Sequence, residues 1–109
     1  MNYRIISIPE FDKDAKRLAK KYPSLKKELA ELFHVLAANP HQGDPLGNHC
    51  FKIRLSIASK GKGKSGGARV ITYVYVSNIE VYLLSIYDKS ENAIISVKEL
   101  KYLLSRIPA

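Results

Sequence analysis

The chain of 109 residues is long enough for one domain with a single modest core, 46% of its residues are apolar, and its formal net charge is +8. It has no run of about 18 apolar residues and no signal-peptide pattern, so we expect neither a membrane span nor secretion. Cys50 is the only cysteine, which excludes an internal disulfide and fits a single cytoplasmic domain over residues 1–109.

The first half of the chain predicts one strand and two helices. Residues 2–8 are short and rich in apolar side chains and stop at Pro9, as a first strand would. From Pro9 to Tyr22 apolar residues recur at helical spacing, and Pro23 separates this helix from a second one that stops at Asn39. Two consecutive amphipathic helices have to cover an apolar surface, and the only candidate in this chain is a sheet.

The second half predicts three antiparallel strands and a last helix. Residues 51–58 alternate between apolar and polar, and residues 69–76 and 79–87 are rich in β-branched and aromatic side chains. Ser96 followed by Glu99 forms a capping-box pattern that begins the last helix. The order β-α-α-β-β-β-α is an α+β fold, with an antiparallel meander, a helical hairpin on one face and a C-terminal helix.

Two segments are predicted to be polar connections, residues 41–50 and residues 88–92, and the second is expected to be exposed. The first contains His41, His49 and Cys50, which together suggest a metal site or a Cys/His nucleophile. A zinc site normally needs four well-spaced ligands, and a catalytic thiol needs a positioned base. Neither pattern is present, so a structural role is favoured for all three residues, and no metal or cofactor is expected.

Positive charge is concentrated in residues 48–70, which hold six Lys/Arg and no acid. Within them, residues 60–69 (KGKGKSGGAR), called here the basic loop, read as a glycine-rich connection between two strands. Such a patch indicates an anionic partner, namely nucleic acid, an anionic membrane or an acidic protein; the alternative is a solubilising surface. Gly63-Lys64-Ser65 is not a P-loop, because Ala58 stands where the first glycine is needed and a strand follows.

Paired carboxylates for a two-metal nuclease are absent, and no acid lies between Gly47 and Asn78. Cleavage of RNA is feasible without a metal, because the 2′-hydroxyl is an internal nucleophile beside its phosphate. The protein must then remove one proton, neutralise the phosphorane and help the 5′-oxygen leave. Lys52 and Arg54 would lie on one face of a strand, about 7 Å apart. A solvated strand face is the alternative interpretation for this pair.

Three segments resemble the RelE/ParE toxin superfamily, and within it the HigB-like toxins of bacterial type II toxin–antitoxin systems. They are residues 52–55 (KIRL), 59–71 (SKGKGKSGGARVI) and 84–91 (LSIYDKSE), and the resemblance extends over residues 8–104. It implies a ribosome-dependent mRNA endonuclease that inhibits translation. It also implies a cognate antitoxin, expected to be a small helix-turn-helix protein, with the ribosome and mRNA as further partners.

The resemblance also implies roles for individual residues. Lys52 or Arg54 would abstract the proton, Arg69 would stabilise the phosphorane, and Lys89 would neutralise charge or protonate the leaving group. RelE-type toxins often carry a tyrosine near the position of Ile95, and Tyr87 is the nearest substitute here, either stacking on a base or acting in proton transfer.

Lys60, Lys62 and Lys64 are expected to bind the RNA backbone. Two other functions remain open, a ParE-like gyrase inhibitor on the same fold and a non-catalytic RNA-binding module. The basic constellation argues against the first, and the absence of RNP-type aromatic motifs weakens the second.

Overall fold

The computed structural model of the protein describes residues 2–60, 66–91 and 94–108. Within these residues there are five strands and three helices: β1 (Arg4–Ser7), α1 (Pro9–Lys21), α2 (Leu25–Ala38), β2 (Asp44–Gly47), β3 (Cys50–Leu55), β4 (Ala68–Tyr75), β5 (Glu80–Asp88) and α3 (Val97–Ser105). The predicted α+β fold is confirmed. One element is additional, because the predicted connection at residues 41–50 contains β2. Its sequence, DPLG, has no strand pattern, and only its pairing with β3 makes it a strand.

The five strands form one sheet in the order β1-β5-β4-β3-β2. β1 runs parallel to β5, and all other neighbours are antiparallel. β4 and β5 lie in the centre and are buried along most of their length, as expected for strands that are apolar on both faces. β3 and β2 lie towards one edge, where polar side chains stay accessible.

The helical hairpin follows from local chemistry. Pro9 begins α1, where a backbone N–H would have no partner, and Glu10 complements the positive end of the helix. The apolar stripes of α1 and α2 pack on the sheet with Phe11, Leu18 and Leu36 in the core. The chain passes from α1 to α2 through Tyr22, whose side chain also reaches the end of β5.

The last helix begins as predicted, because the Glu99 N–H donates to Ser96 Oγ at 3.0 Å. Two bonds from α3 and the residue after it meet at Glu10 in the first turn of α1. The Tyr102 hydroxyl donates to Glu10 Oε2 at 3.0 Å, and Arg106 Nε donates to the same oxygen at 2.8 Å. These two hydrogen bonds attach α3 to the start of α1, and α3 packs against β5.

Strand register divides the side chains of the sheet between two faces. Arg54, Arg69 and Tyr87 lie opposite one another on β3, β4 and β5, so they share a face, called here the basic face. Asp88 lies opposite Ala68 on the other face, where the Tyr22 hydroxyl contacts it. The helical hairpin thus covers the face opposite the basic one.

Candidate nucleic-acid interface

Four of the five residues predicted to be catalytic come together on the basic face. Arg54 pairs with Arg69, and Arg69 pairs with Tyr87, in one row across three strands. Directly opposite residues in antiparallel strands have Cβ atoms about 5 Å apart. Lys52 lies two residues before Arg54 and on the same side of β3, about 7 Å away. The alternation of β3 predicted the Lys52–Arg54 pair, and the register adds the other two residues.

The two arginines of the row differ in environment. Arg54 is exposed, and its Nη2 lies 3.7 Å from Asp44 Oδ2 in an exposed ion pair. Arg69 is only 4% exposed, and its Nη1 donates to the carbonyl of Ala68 at 3.1 Å. A buried guanidinium holds its planar fork in a fixed orientation, which suits a phosphate better than a mobile surface cation does.

Asp44 is a residue of this site that the sequence did not reveal. It lies on β2, opposite Lys52, and contacts Arg54. No acid lies near Lys52 in the sequence, so only the pairing of β2 with β3 could bring one there. The negative charge offsets part of the positive charge of the basic face at this edge of the sheet.

Tyr87 is 7% exposed, and its hydroxyl has no hydrogen-bond partner among the described residues. Burial raises the pKa of this hydroxyl, the Arg69 charge opposes the rise, and the Glu99 carboxylate adds to it. Tyr87 therefore keeps its proton at neutral pH and can act as an acid or donor, not as a base. Its burial counts against stacking on a base in this arrangement.

Lys89 lies directly after β5 and is exposed. Its backbone N–H donates to the carbonyl of Gly67 at 3.0 Å, which joins the end of β5 to the residue before β4. Lys89 is thus near the end of the row formed by Arg54, Arg69 and Tyr87, without being part of it.

Lys60 occupies a different environment from the one expected. Its ammonium group pairs with Asp88 and lies 5.7 Å from the centre of the Tyr22 ring, and its side chain is 9% exposed. An ammonium so engaged is not presented to an RNA backbone. Lys62 and Lys64, for which the same role was expected, lie outside the described residues.

The prediction that residues 88–92 are exposed is wrong for Asp88, which is fully buried. Burial raises the pKa of its carboxyl, but hydrogen bonds from Lys60, Tyr22 and Ser90 outweigh burial and hold the pKa well below its usual range. The Tyr22 hydroxyl donates at 2.7 Å and the Ser90 N–H at 2.9 Å. A charged aspartate is tolerated here because its oxygens have these partners.

Cys50 and His41 fit a structural role. Cys50 is fully buried, and burial raises the pKa of its thiol to about 11, so a thiolate nucleophile does not form at neutral pH. His41 is exposed and packs edge-on against Phe51, with 5.5 Å between ring centres. The described residues hold no group of three or more His, Cys, Asp or Glu arranged for a metal ion.

The part of the chain that the structure describes includes no helix that is long and apolar enough to cross a membrane.

The order of elements and the sheet topology define the fold class. The chain has a RelE-like α+β fold, as the sequence resemblance predicted. A double arginine-to-alanine mutant of the Escherichia coli toxin RelE, in the free state, matches with a TM-score of 0.66 and 16% identity, over 99% of this chain and 100% of that one. No protein-family model matches the sequence, and assignment to the HigB-like branch stays a prediction.

Two further solved structures are similar. The isolated E. coli RelE toxin in its P21 crystal form matches with a TM-score of 0.56 and 20% identity, over 96% of this chain and 99% of that one. The intact E. coli RelBE toxin–antitoxin complex matches with a TM-score of 0.55 and 21% identity, over 79% of this chain and 95% of the other. At these identities the similarity establishes the fold.

Proposed function

We propose that the protein is the toxin of a type II toxin–antitoxin system and cleaves mRNA on the ribosome without a metal ion. The observation that carries the proposal is the row of Arg54, Arg69 and Tyr87, with Lys52 beside it, on a RelE fold. Attack of a 2′-hydroxyl on a phosphate requires a proton acceptor, cations and a proton donor, and an uncharged lysine, two arginines and a neutral hydroxyl on one face can supply them.

The roles follow from the chemistry of each side chain. Lys52, in its uncharged amine form, is the better candidate for taking the 2′-hydroxyl proton, because an arginine does not lose its proton in a protein. Arg54 and Arg69 then stabilise the charge of the phosphorane. Tyr87, neutral and buried, and Lys89, exposed beyond β5, are the candidates for protonating the 5′-oxygen.

The burial of Arg69 and Tyr87 is a reason to expect that cleavage requires the ribosome. Arg69 and Tyr87 are 4% and 7% exposed, so RNA has to open the site before it reaches either side chain. Binding to the ribosome supplies the free energy for that opening and for unstacking the message. Free RNA would then be a poor substrate.

The partners follow from the same proposal. A solved complex of the similar E. coli toxin contains its antitoxin, which supports a cognate antitoxin for this chain, expected to be a small helix-turn-helix protein. The ribosome and mRNA are the other partners, and the protein acts in the cytoplasm.

The test is expression of the protein alone in a bacterial host, with sequencing of the 5′ ends of mRNA. The expected result is growth arrest with cleavage within translated messages, relieved by Lys52→Met or Arg54→Gln. Growth arrest with intact messages would overturn the proposal, and inhibited supercoiling by purified gyrase would then identify a ParE-like toxin. Salt-dependent RNA binding with no cleavage on ribosomes would instead identify a binding module.

A further inference from the structure

Hollows on the described surface differ in the charge of their linings. One of about 550 Å³ between α2 and β3 includes Glu28, Glu31 and Asp44 together with Lys52 and Arg54. One of about 130 Å³ beside Tyr87 includes Asp14 and Glu99 together with Arg17. A third, of about 470 Å³, has no acid and is called here the tyrosine hollow; it is lined by Asn48, His49, Tyr73, Tyr75, Leu104, Ile107 and Pro108. Of these three, it is the one that presents no carboxylate to a polyanion.

The tyrosine hollow lies on the basic face. Tyr73 pairs with Cys50, and Arg69 pairs with Arg54, in one unbroken register between β3 and β4. Alternation along β4 places Arg69, Tyr73 and Tyr75 on the same side of the sheet. Tyr73 is four residues from Arg69, which is about 13 Å along a strand. An RNA strand with a phosphate at the arginine row can therefore reach the hollow with a neighbouring nucleotide.

The turn that borders the hollow joins β2 to β3. Asn48 and His49 are its two central residues, and their φ values of +53° and +63° are those that a tight hairpin turn between antiparallel strands favours. The carbonyl of His49 accepts the Val74 N–H at 2.9 Å, which fixes the turn against β4. The result is an amide and an imidazole at the rim of an aromatic surface.

The rings suit a nucleobase. Tyr73 and Tyr75 are half-buried, with 6.0 Å between their centres and 54° between their planes, so they are not stacked on each other. We propose that the tyrosine hollow binds an unstacked base of single-stranded RNA next to the phosphate that is cut, with Tyr73 or Tyr75 stacking on it and Asn48 and His49 contacting its polar edge. The choice of RNA as ligand rests on the proposed function.

The first test locates the base directly. RNA is made with 4-thiouridine at single positions and a 2′-O-methyl group at the scissile nucleotide, so that nothing is cleaved. It is irradiated with the wild-type protein, both free and on programmed ribosomes, and cross-linked peptides are identified. We expect cross-links to the peptide containing Tyr73 and Tyr75 from positions on one side of the scissile phosphate. Cross-links confined to other peptides in both settings would overturn the proposal.

The second test measures affinity for the same RNA at several salt concentrations. Tyr73→Leu and Tyr75→Leu should weaken binding about 5- to 150-fold where the ring stacks on a base, and the phenylalanine variants should bind as the wild type does. The slope of log K against log salt should not change, whereas Arg54→Gln should reduce it by about 0.7. Wild-type affinity in both leucine variants would contradict the proposal.

The stability of the Tyr73 variants has to be measured, because the centre of the Tyr73 ring lies 6.4 Å from the centre of the Tyr82 ring and the substitution also removes this contact. His49→Gly tests the hollow without removing that contact. Glycine relieves the positive φ, so folding is kept, while the imidazole is lost and binding should weaken. None of these readouts uses cleavage. Loss of the cross-links therefore contradicts the hollow, whereas intact mRNA in cells contradicts the proposed function.

Discussion

The ammonium group of Lys60 and the carboxylate of Asp88 form an ion pair whose side chains are 9% and 0% exposed. The pair joins the first residue of the basic loop to the last residue of β5. Tyr22 and Ser90 donate the other hydrogen bonds to the Asp88 carboxylate. A cation expected to meet RNA is thus part of the protein's framework.

Replacing either Lys60 or Asp88 should lower the stability of the protein. Asp88→Ala leaves a buried ammonium without its partner, and Lys60→Met leaves a buried carboxylate, so each should lower the free energy of unfolding by about 3–5 kcal/mol. Urea denaturation measures it. Asp44→Asn is the control, because its exposed ion pair with Arg54 should contribute less than about 1 kcal/mol. If Asp88→Ala and Asp44→Asn lowered the free energy of unfolding by equal amounts, burial would not strengthen the Lys60–Asp88 pair.

Acid should weaken the fold through Asp88. Its folded pKa is below its usual value, whereas in the unfolded chain it returns to about 3.9. The unfolded state therefore binds more protons below that pH, and the stabilisation present at neutral pH is lost as pH falls through 4 towards the folded pKa. Urea denaturation between pH 7 and pH 3 should show a steeper loss for the wild type than for Asp88→Asn.

Glu10 needs a separate control in that experiment, because its pKa is also lowered. Glu10→Gln should remove only its own part of the acid sensitivity. If Asp88→Asn loses stability with the same pH slope as the wild type while Glu10→Gln does not, the assignment to Asp88 is wrong.

Asp44→Asn should increase affinity for RNA. Asp44 lies opposite Lys52 and 3.7 Å from Arg54, where its charge repels phosphate and competes for the guanidinium. Loss of an exposed ion pair of this kind corresponds to about a two- to fivefold gain in binding. Asp12→Asn on α1 makes the same charge change away from the basic face, so it should leave affinity nearly unchanged. An equal gain in both variants would indicate an effect of net charge alone.

Tyr87→Phe should distinguish a role of the Tyr87 hydroxyl in catalysis from a role in stability. The hydroxyl is buried without a partner among the described residues, so its removal should keep or raise stability, by up to about 1–3 kcal/mol. If the hydroxyl protonates the 5′-oxygen, mRNA cleavage on ribosomes should fall about 10²- to 10⁴-fold. A stable variant with normal cleavage would leave that role to Lys89.

Lys52→Met should lower single-turnover cleavage on ribosomes by at least about 10²-fold, because it removes the proposed base. Lys101→Met, an exposed lysine on α3, makes the same substitution elsewhere and should cleave normally. Arg54→Lys should retain most activity if Arg54 supplies only charge. Normal cleavage by Lys52→Met would assign proton abstraction to another group.

Much of the fold follows from patterns that are local in the sequence. Apolar residues at helical spacing predicted α1 and α2, alternation predicted β3, and the capping box placed the start of α3. β2 could not be found this way, because its four residues have no pattern of their own. The parallel placement of β1 beside β5 likewise depends on tertiary packing.

The candidate site shows the same division. Period-two alternation predicted that Lys52 and Arg54 share a face, but the row with Arg69 and Tyr87 depends on the strand register. The burial of Asp88 could not be predicted, because its partner Lys60 lies 28 residues away in the sequence. A polar residue after an apolar strand normally indicates a surface turn.

Two residues of the basic loop are attached to neighbouring residues at the end of β5. The Lys60 ammonium pairs with Asp88, and the Gly67 carbonyl accepts the N–H of Lys89. Doubling the length of a loop between fixed ends costs only about 0.6 kcal/mol of chain entropy. Residues inserted between Lys60 and Gly67, or replacement of the lysines other than Lys60, should therefore have little effect on the stability of the sheet.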